Sequence, residues 1–185
     1  GSFSNKKKKK YKLNEGFIDK NQLNGLSETQ KKVQILNSYV LDSLNKENIP
    51  AVSISPHTIL NLDNHKLENF NYRIFEKYLK NGFTPVSYGD VVLDKRLSFS
   101  ICSGDLLIQA LAKNFKPKKV IFVVDEDGLY TKNPKINKDA EFIKETTIEE
   151  LEKFSANLDK HADVTGGMKG KIDTIKNISK LLYCF

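Results

Sequence analysis

Asp163-Val164-Thr165-Gly166-Gly167-Met168, followed three residues on by Lys171, is the stretch of this 185-residue chain on which its fold turns. Glycines that hand over directly to a helix let backbone N–H groups approach an anion, with the positive end of the helix dipole behind them. A lysine about one turn further on adds a mobile point charge on the same side. Alone, the stretch reads more readily as an ordinary turn. Two others share its character: Ser103-Gly104-Asp105 and Asp125-Glu126-Asp127-Gly128-Leu129-Tyr130.

Outward from these stretches the chain alternates helical and strand patterns. Ser27-Glu28-Thr29-Gln30 is a capping box, after which Val33, Leu36, Val40 and Leu44 recur at helical spacing toward Asn48. Ala51 to Ser55, bounded by Pro50 and Pro56, reads as a short buried strand. Residues 67–79 are predicted to form a second helix, halted by Asn81-Gly82, and Thr84 to Tyr88 another strand. Val91 to Leu93 and Leu97 to Ile101 form a predicted hairpin. Ser103 caps a helix running to about Phe115, with Leu106, Leu107, Ala110 and Leu111 on one face. Lys119 to Val124, mostly β-branched, has the strongest strand pattern of the chain. Thr147-Ile148-Glu149-Glu150 is a second capping box, and Met168 to Leu182 supply the last helix. This alternation predicts an α/β fold, an open αβα sandwich with a mainly parallel sheet. There is no internal repeat.

Composition narrows the function classes. At this length one domain is expected over 1–185, with residues 1–26 a basic loop region. Hydrophobic residues make up 39% of the chain, 11 Phe and 7 Tyr among them, enough for a real core. No run approaches the ~20 apolar residues that span a bilayer. Cys102 and Cys184 lack framework spacing, so a reducing, cytoplasmic setting without disulfides is expected. The net charge is +7, but five of those charges are Lys6 to Lys10, with Tyr11 the sole aromatic beside them. Such a run is a solvated basic loop rather than a stacking platform, so no nucleic-acid partner is predicted. The sole methionine is Met168 and the chain stops in the apolar run Leu181 to Phe185, which predicts truncation at both ends.

In α/β sheets, ligands bind beyond the carboxyl ends of the strands. Ser103-Gly104-Asp105, Asp125 to Gly128 and Thr165-Gly166-Gly167 all fall at such ends. Together they form a constellation suited to phosphate and magnesium.

With those residues in view the chain resembles the amino acid kinase superfamily, and within it the isopentenyl phosphate kinases. Gly1-Ser2-Phe3 looks like the tail of that family's glycine-rich loop, Ile49 to Ile54 resembles its central strand, and Gly82 to Asp94 resembles its Pro-Val-x-His-Gly-Asp-Val-Val segment. Ser103 to Asp105, Asp125 to Tyr130 and Asp163 to Lys171 complete the likeness. The resemblance implies transfer of the ATP γ-phosphoryl group, with Mg2+, to isopentenyl phosphate, and it allows a homodimer. By position it places Gly1, Ser2 and Asn5 near the substrate phosphate and Gly104 with Asp105 on the substrate side. Asp125, Asp127 and Gly128 would border the nucleotide, and Gly166 with Lys171 would contact ATP; Asp105 and Lys171 carry the catalysis.

Several positions depart from the pattern. The family's Lys-x-Gly-Gly-Ser opening has no counterpart, its loop histidine is Asn5, and the histidine of its His-Gly-Asp segment is Tyr88. Leu106 and Val124 replace an Asp and a Thr. Asn5 keeps hydrogen-bond donors but carries no charge, so weaker binding of a phosphate dianion is expected. The alternatives are a nucleotide-binding remnant without turnover and a kinase with a different small acceptor. His57, His65 and His161 have no metal-ligand spacing and read as surface residues. Asp90 and Asp94 read as turn caps, and Glu149-Glu150 as acids complementing a helix dipole.

Overall fold

The computed structural model describes residues 11–13, 15–132, 134–158 and 166–183. It divides into two compact units, Gly1–Leu107 and Ile108–Phe185.

The first unit opens with α1 (Asn21–Lys46), seven residues earlier than the capping box at Ser27 predicts. Asp19 caps its first amides by accepting from Asn21 N–H at 2.7 Å, and the Gln22 amide ties its start to the Gly16 carbonyl at 2.9 Å. Its buried face is Gln22, Gly25, Thr29 and Asn37. Of the expected apolar stripe, Leu36 and Val40 instead face outward, 58% and 42% exposed, while Val33 and Leu44 are half-buried. Hydrogen bonds set that rotation: Gln30 Nε2 donates to Val91 O at 2.8 Å and Asn37 Nδ2 to Ser53 Oγ at 2.7 Å.

The strands β1 (Ala51–Ser53) and β4 (Thr84–Val86) pair in parallel, Ala51 opposite Thr84. A second sheet has the order β3-β2-β5-β6, from β2 (Leu60–Asp63), β3 (Lys66–Phe70), β5 (Asp90–Asp94) and β6 (Ser98–Cys102). Here β2 meets β5 in parallel and the two hairpins are antiparallel. The β5–β6 hairpin agrees with the sequence. The helix expected over 67–79 does not: residues 66–70 are strand, and α2 is confined to Arg73–Lys80. Asn64 and His65 take positive φ of 50° and 66°, which closes a two-residue hairpin and commits the following residues to pairing. Leu13, Val91 and Phe99 form a core cluster in this unit, with Phe17 edge-to-face on Phe99.

The helix α3 (Gly104–Phe115) carries the chain to the second unit, which holds β7 (Leu129–Tyr130), β8 (Phe142–Ile143), α4 (Ile148–Leu158) and α5 (Gly166–Tyr183). The predicted capping box forms: Glu150 N–H donates to Thr147 Oγ1 at 3.2 Å and Thr147 N–H to Glu150 Oε2 at 3.0 Å. Leu151, Ile172 and Ile178 are buried. The strand expected at 119–124 pairs in no ladder among the described residues. It keeps a strand's alternation, with Ile121 70% and Val123 87% exposed between half-buried neighbours. Side-chain pattern sets which way residues face, but a strand also needs a hydrogen-bonding neighbour. Among the described residues no helix is long and apolar enough to cross a membrane.

Candidate functional site

In the first unit, polar groups gather where β1 and β4 end. The pairing runs one step further, Ile54 N–H donating to Val86 O at 2.8 Å and Ser87 Oγ to Ile54 O at 2.7 Å. Beyond that the chain supplies Ser55 and His57 on one side and Tyr88, Gly89 and Asp90 on the other. The Ser55 and Tyr88 hydroxyls are hydrogen-bonded at 2.9 Å. His57 Nδ1 lies 2.6 Å from Asp90 Oδ2, and Val91 N–H donates to Asp90 Oδ1 at 2.8 Å. Burial raises the Tyr88 phenol, the Ser55 bond opposes it, and the Asp90 charge adds to the rise. Across the hairpin, Cys102 pairs with Asp90 and is wholly buried. Burial, then the Asp90 charge, pushes its thiol up to about 12, which removes it as a nucleophile.

The α3 junction abuts this cluster. A Cβ on Gly89 would lie 3.2 Å from both Cys102 O and Gly104 N, so a larger residue there would be tight against the α3 junction. Gly104 is the opposite case: a Cβ would meet nothing within 4 Å, and its φ is not positive. Neither packing nor backbone requires that glycine, and its exposed first-turn backbone is open to approach by a ligand. Ser103 caps α3 as predicted, accepting from Leu106 N–H at 3.1 Å, and Asp105 occupies the first turn. Gly104 is thus brought beside Gly89, with Asp105 next in the chain. Gly1, Ser2 and Asn5 lie outside the described residues, as do Lys6 to Lys10, His161, Asp163 to Thr165 and Cys184.

In the second unit, the acidic turn is held by lysine. Lys135 Nζ lies 2.7 Å from Asp125 Oδ2 and 2.7 Å from Glu126 Oε1. The Lys135 hydrogen bond draws the Asp125 carboxyl below its ordinary range, and the two acids raise Lys135 in return. Asp127 accepts from Tyr130 Oη at 3.3 Å. Gly128 has φ at +154°, a backbone that favours glycine, and a Cβ there would come within 2.8 Å of the Phe142 ring. Gly166 opens α5, and Lys171 Nζ stands 5.2 Å from the Phe122 ring centroid, a cation–π distance.

His57 and Asp90 are the functional candidates that sequence reasoning passed over. They are 33 residues apart, so spacing gave no sign of the pair. The available signal was a carboxylate heading the apolar run Val91-Val92-Leu93. Asp94, read as a cap, is one: it accepts N–H bonds from Asn64, His65, Arg96 and Leu97 and the Ser100 hydroxyl.

The model of the amino acid kinase family matches residues 1–180. The isopentenyl phosphate kinase of Methanothermobacter thermautotrophicus is 42% identical over 151 residues, covering 80% of this chain and 56% of its own length. An X-ray structure of isopentenyl phosphate kinase superposes with a TM-score of 0.73 at 32% identity, over 95% of this chain and 76% of that one. An isopentenyl phosphate kinase substrate complex gives a TM-score of 0.80 at 25% identity, over 98% and 68%. The chain therefore spans little more than half the length of the Methanothermobacter relative.

Proposed function

The chain belongs to the amino acid kinase family, and from that premise we propose that the protein transfers the γ-phosphoryl group of ATP to isopentenyl phosphate, giving isopentenyl diphosphate. The observation that carries the reading is Gly104, a glycine with open space at the first turn of α3 and with Asp105 beside it. Phosphoryl transfer needs in-line positioning and charge neutralisation rather than a covalent nucleophile. Gly104 and Asp105, with Gly1, Ser2 and Asn5, serve the acceptor. Asp125, Asp127, Gly128, Gly166 and Lys171 serve the nucleotide.

Among the described residues no cluster of three or more His, Cys, Asp or Glu could hold a metal ion by itself. Magnesium in kinase sites takes one or two carboxylates together with substrate phosphates, and the exposed Asp125 and Asp127 fit that role. The ion would neutralise phosphate charge there. A homodimer is supported by the outward stripe Ile35, Leu36, Tyr39 and Val40 on α1. A cytoplasmic setting is supported by the free, buried Cys102.

The test is coupled ADP release from the full-length protein with MgATP and isopentenyl phosphate. Turnover is expected, and Asp105→Asn should lower it by at least about tenfold while shifting stability by under ~1 kcal/mol. Absence of acceptor-dependent ADP release overturns the proposal.

A further inference from the structure

We propose that His57 grips the phosphate of the acceptor, presenting Nε2 to its oxygens while Asp90 fixes the ring from behind. This rests on the kinase reading above and adds to it a substrate-binding residue and its positioning partner. The Asp90 side chain is fully buried, and its two oxygens are taken up by His57 Nδ1 and by Val91 N–H. A carboxylate can only accept, so Nδ1 is the protonated nitrogen and Nε2 faces away from Asp90. The His57 side chain keeps 27% of its exposure, and its ring makes no other hydrogen bond among the described residues. A buried acid orienting a partly exposed imidazole is how proteins aim a histidine at a ligand.

Location and chemistry agree. The pair sits beyond the carboxyl ends of the parallel strands β1 and β4, where α/β sheets receive ligands. The Ser55 and Tyr88 hydroxyls come from the same two chain ends, so further donors stand alongside. An acceptor that is already a phosphate needs no base to remove a proton. It needs donors that hold one anion against another while the γ-phosphoryl group moves between them. His57 and its neighbours supply donors of that kind. A metal-ligand role would need companions, and the described residues offer no such cluster.

The test compares the full-length wild type with His57→Gln and Asp90→Asn. Steady-state kinetics are varied separately in isopentenyl phosphate and in MgATP. In parallel, the imidazole NMR signals of the wild type are followed as isopentenyl phosphate is added; with three histidines in this chain, loss of one set in His57→Gln helps assign the signal. Both variants should raise KM for isopentenyl phosphate by about tenfold or more and leave KM for ATP within about twofold. The His57 signal should move with isopentenyl phosphate. A lowered melting temperature with unchanged acceptor KM, or turnover with an unmoved His57 signal, overturns the proposal. Failure of the wild type to turn over overturns the kinase reading instead; movement of the His57 signal then still supports phosphate binding, and a fixed signal refutes it.

Discussion

Asp90 and Asp94 in the first unit are 2% and 3% exposed, whereas the Asp125 side chain in the second is 84% exposed and held by one lysine. A carboxylate taken out of water must find its hydrogen bonds as the chain folds, because an unpaired buried charge costs several kcal/mol. Its position is therefore set before any ligand arrives. An exposed carboxylate loses little by exchanging one partner for another, so the Asp125 side chain is free to trade Lys135 for water or another cation. The carboxylates of the first unit are held by fixed hydrogen bonds, and that of Asp125 in the second by an exchangeable surface pair.

The largest expected contrast lies in packing. Leu62 is fully buried in the first unit, and Leu62→Ala should cost about 2–5 kcal/mol, part transfer and part cavity. Ile121, 70% exposed, occupies the most strand-like sequence in the second unit, yet Ile121→Ala should change stability by no more than about 0.5 kcal/mol. Urea midpoints of the two variants check this. A large loss at Ile121 would mean that the 119–124 segment is packed in solution, and the contrast would fail.

That segment also shows where sequence is legible and where it is not. The β5–β6 hairpin, the Ser103 cap and the Thr147–Glu150 box were readable because each is decided within a few residues. The helix expected over 67–79 failed because Leu67 and Phe70 fit either period, and the left-handed pair Asn64-His65 decided for a strand. The outward stripe of α1 failed differently, since its rotation is set by Gln30 and Asn37 bonding to strands far along the chain. In the candidate site, Gly104 and Asp105 were legible as a small residue and an acid at a helix start. His57 was not, because its meaning depends on a buried partner that only the fold brings near.

A middle-sized effect is expected at Asp94. Asp94→Ala strands part-buried N–H groups of the β2–β3 and β5–β6 turns and should cost about 1–3 kcal/mol. Burial works against this charge, but bonds from His65, Ser100, Asn64 and Leu97 outweigh it and hold the carboxyl far below its ordinary range. A depressed folded pKa contributes stability that is present above the unfolded value and lost as pH falls toward the folded one. Wild-type stability should therefore decline below about pH 4, and the variant should show a shallower decline. Parallel acid unfolding curves for the two would break the account of this turn.

Lys171 separates binding from stability. Its Nζ over the Phe122 ring is a modest contact, about 0.5–1 kcal/mol where solvent reaches it. If it also neutralises an ATP phosphate, Lys171→Ala should weaken MgATP binding by about 1–3 kcal/mol, as loss of a charge-assisted hydrogen bond does. Calorimetric titration reads this directly. Unchanged affinity would remove Lys171 from the nucleotide site and leave it a partner of Phe122.

The smallest effect should come from Lys135, and it bears most directly on the adjustable character of the second unit. Lys135 bridges Asp125 and Glu126, its own pKa raised by the two acids and that of Asp125 lowered by it. The stability contribution has two pH edges. The lowered Asp125 contributes above its unfolded pKa and loses that as pH falls; the raised Lys135 contributes below its unfolded pKa and loses that as pH rises. The bridge therefore makes its full contribution to stability only between about pH 4 and pH 10. Even there, both Lys135 and Asp125 stand in solvent, where salt screens the attraction and side-chain ordering opposes it. Lys135→Ala should leave the melting temperature unchanged within about 1 °C at low and at high ionic strength. MgATP affinity should hold or rise, because the freed Asp125 no longer has to exchange a lysine for the ligand. A drop of several degrees, or a loss of nucleotide affinity, would show that this turn is fixed in advance as firmly as the Asp90 cluster.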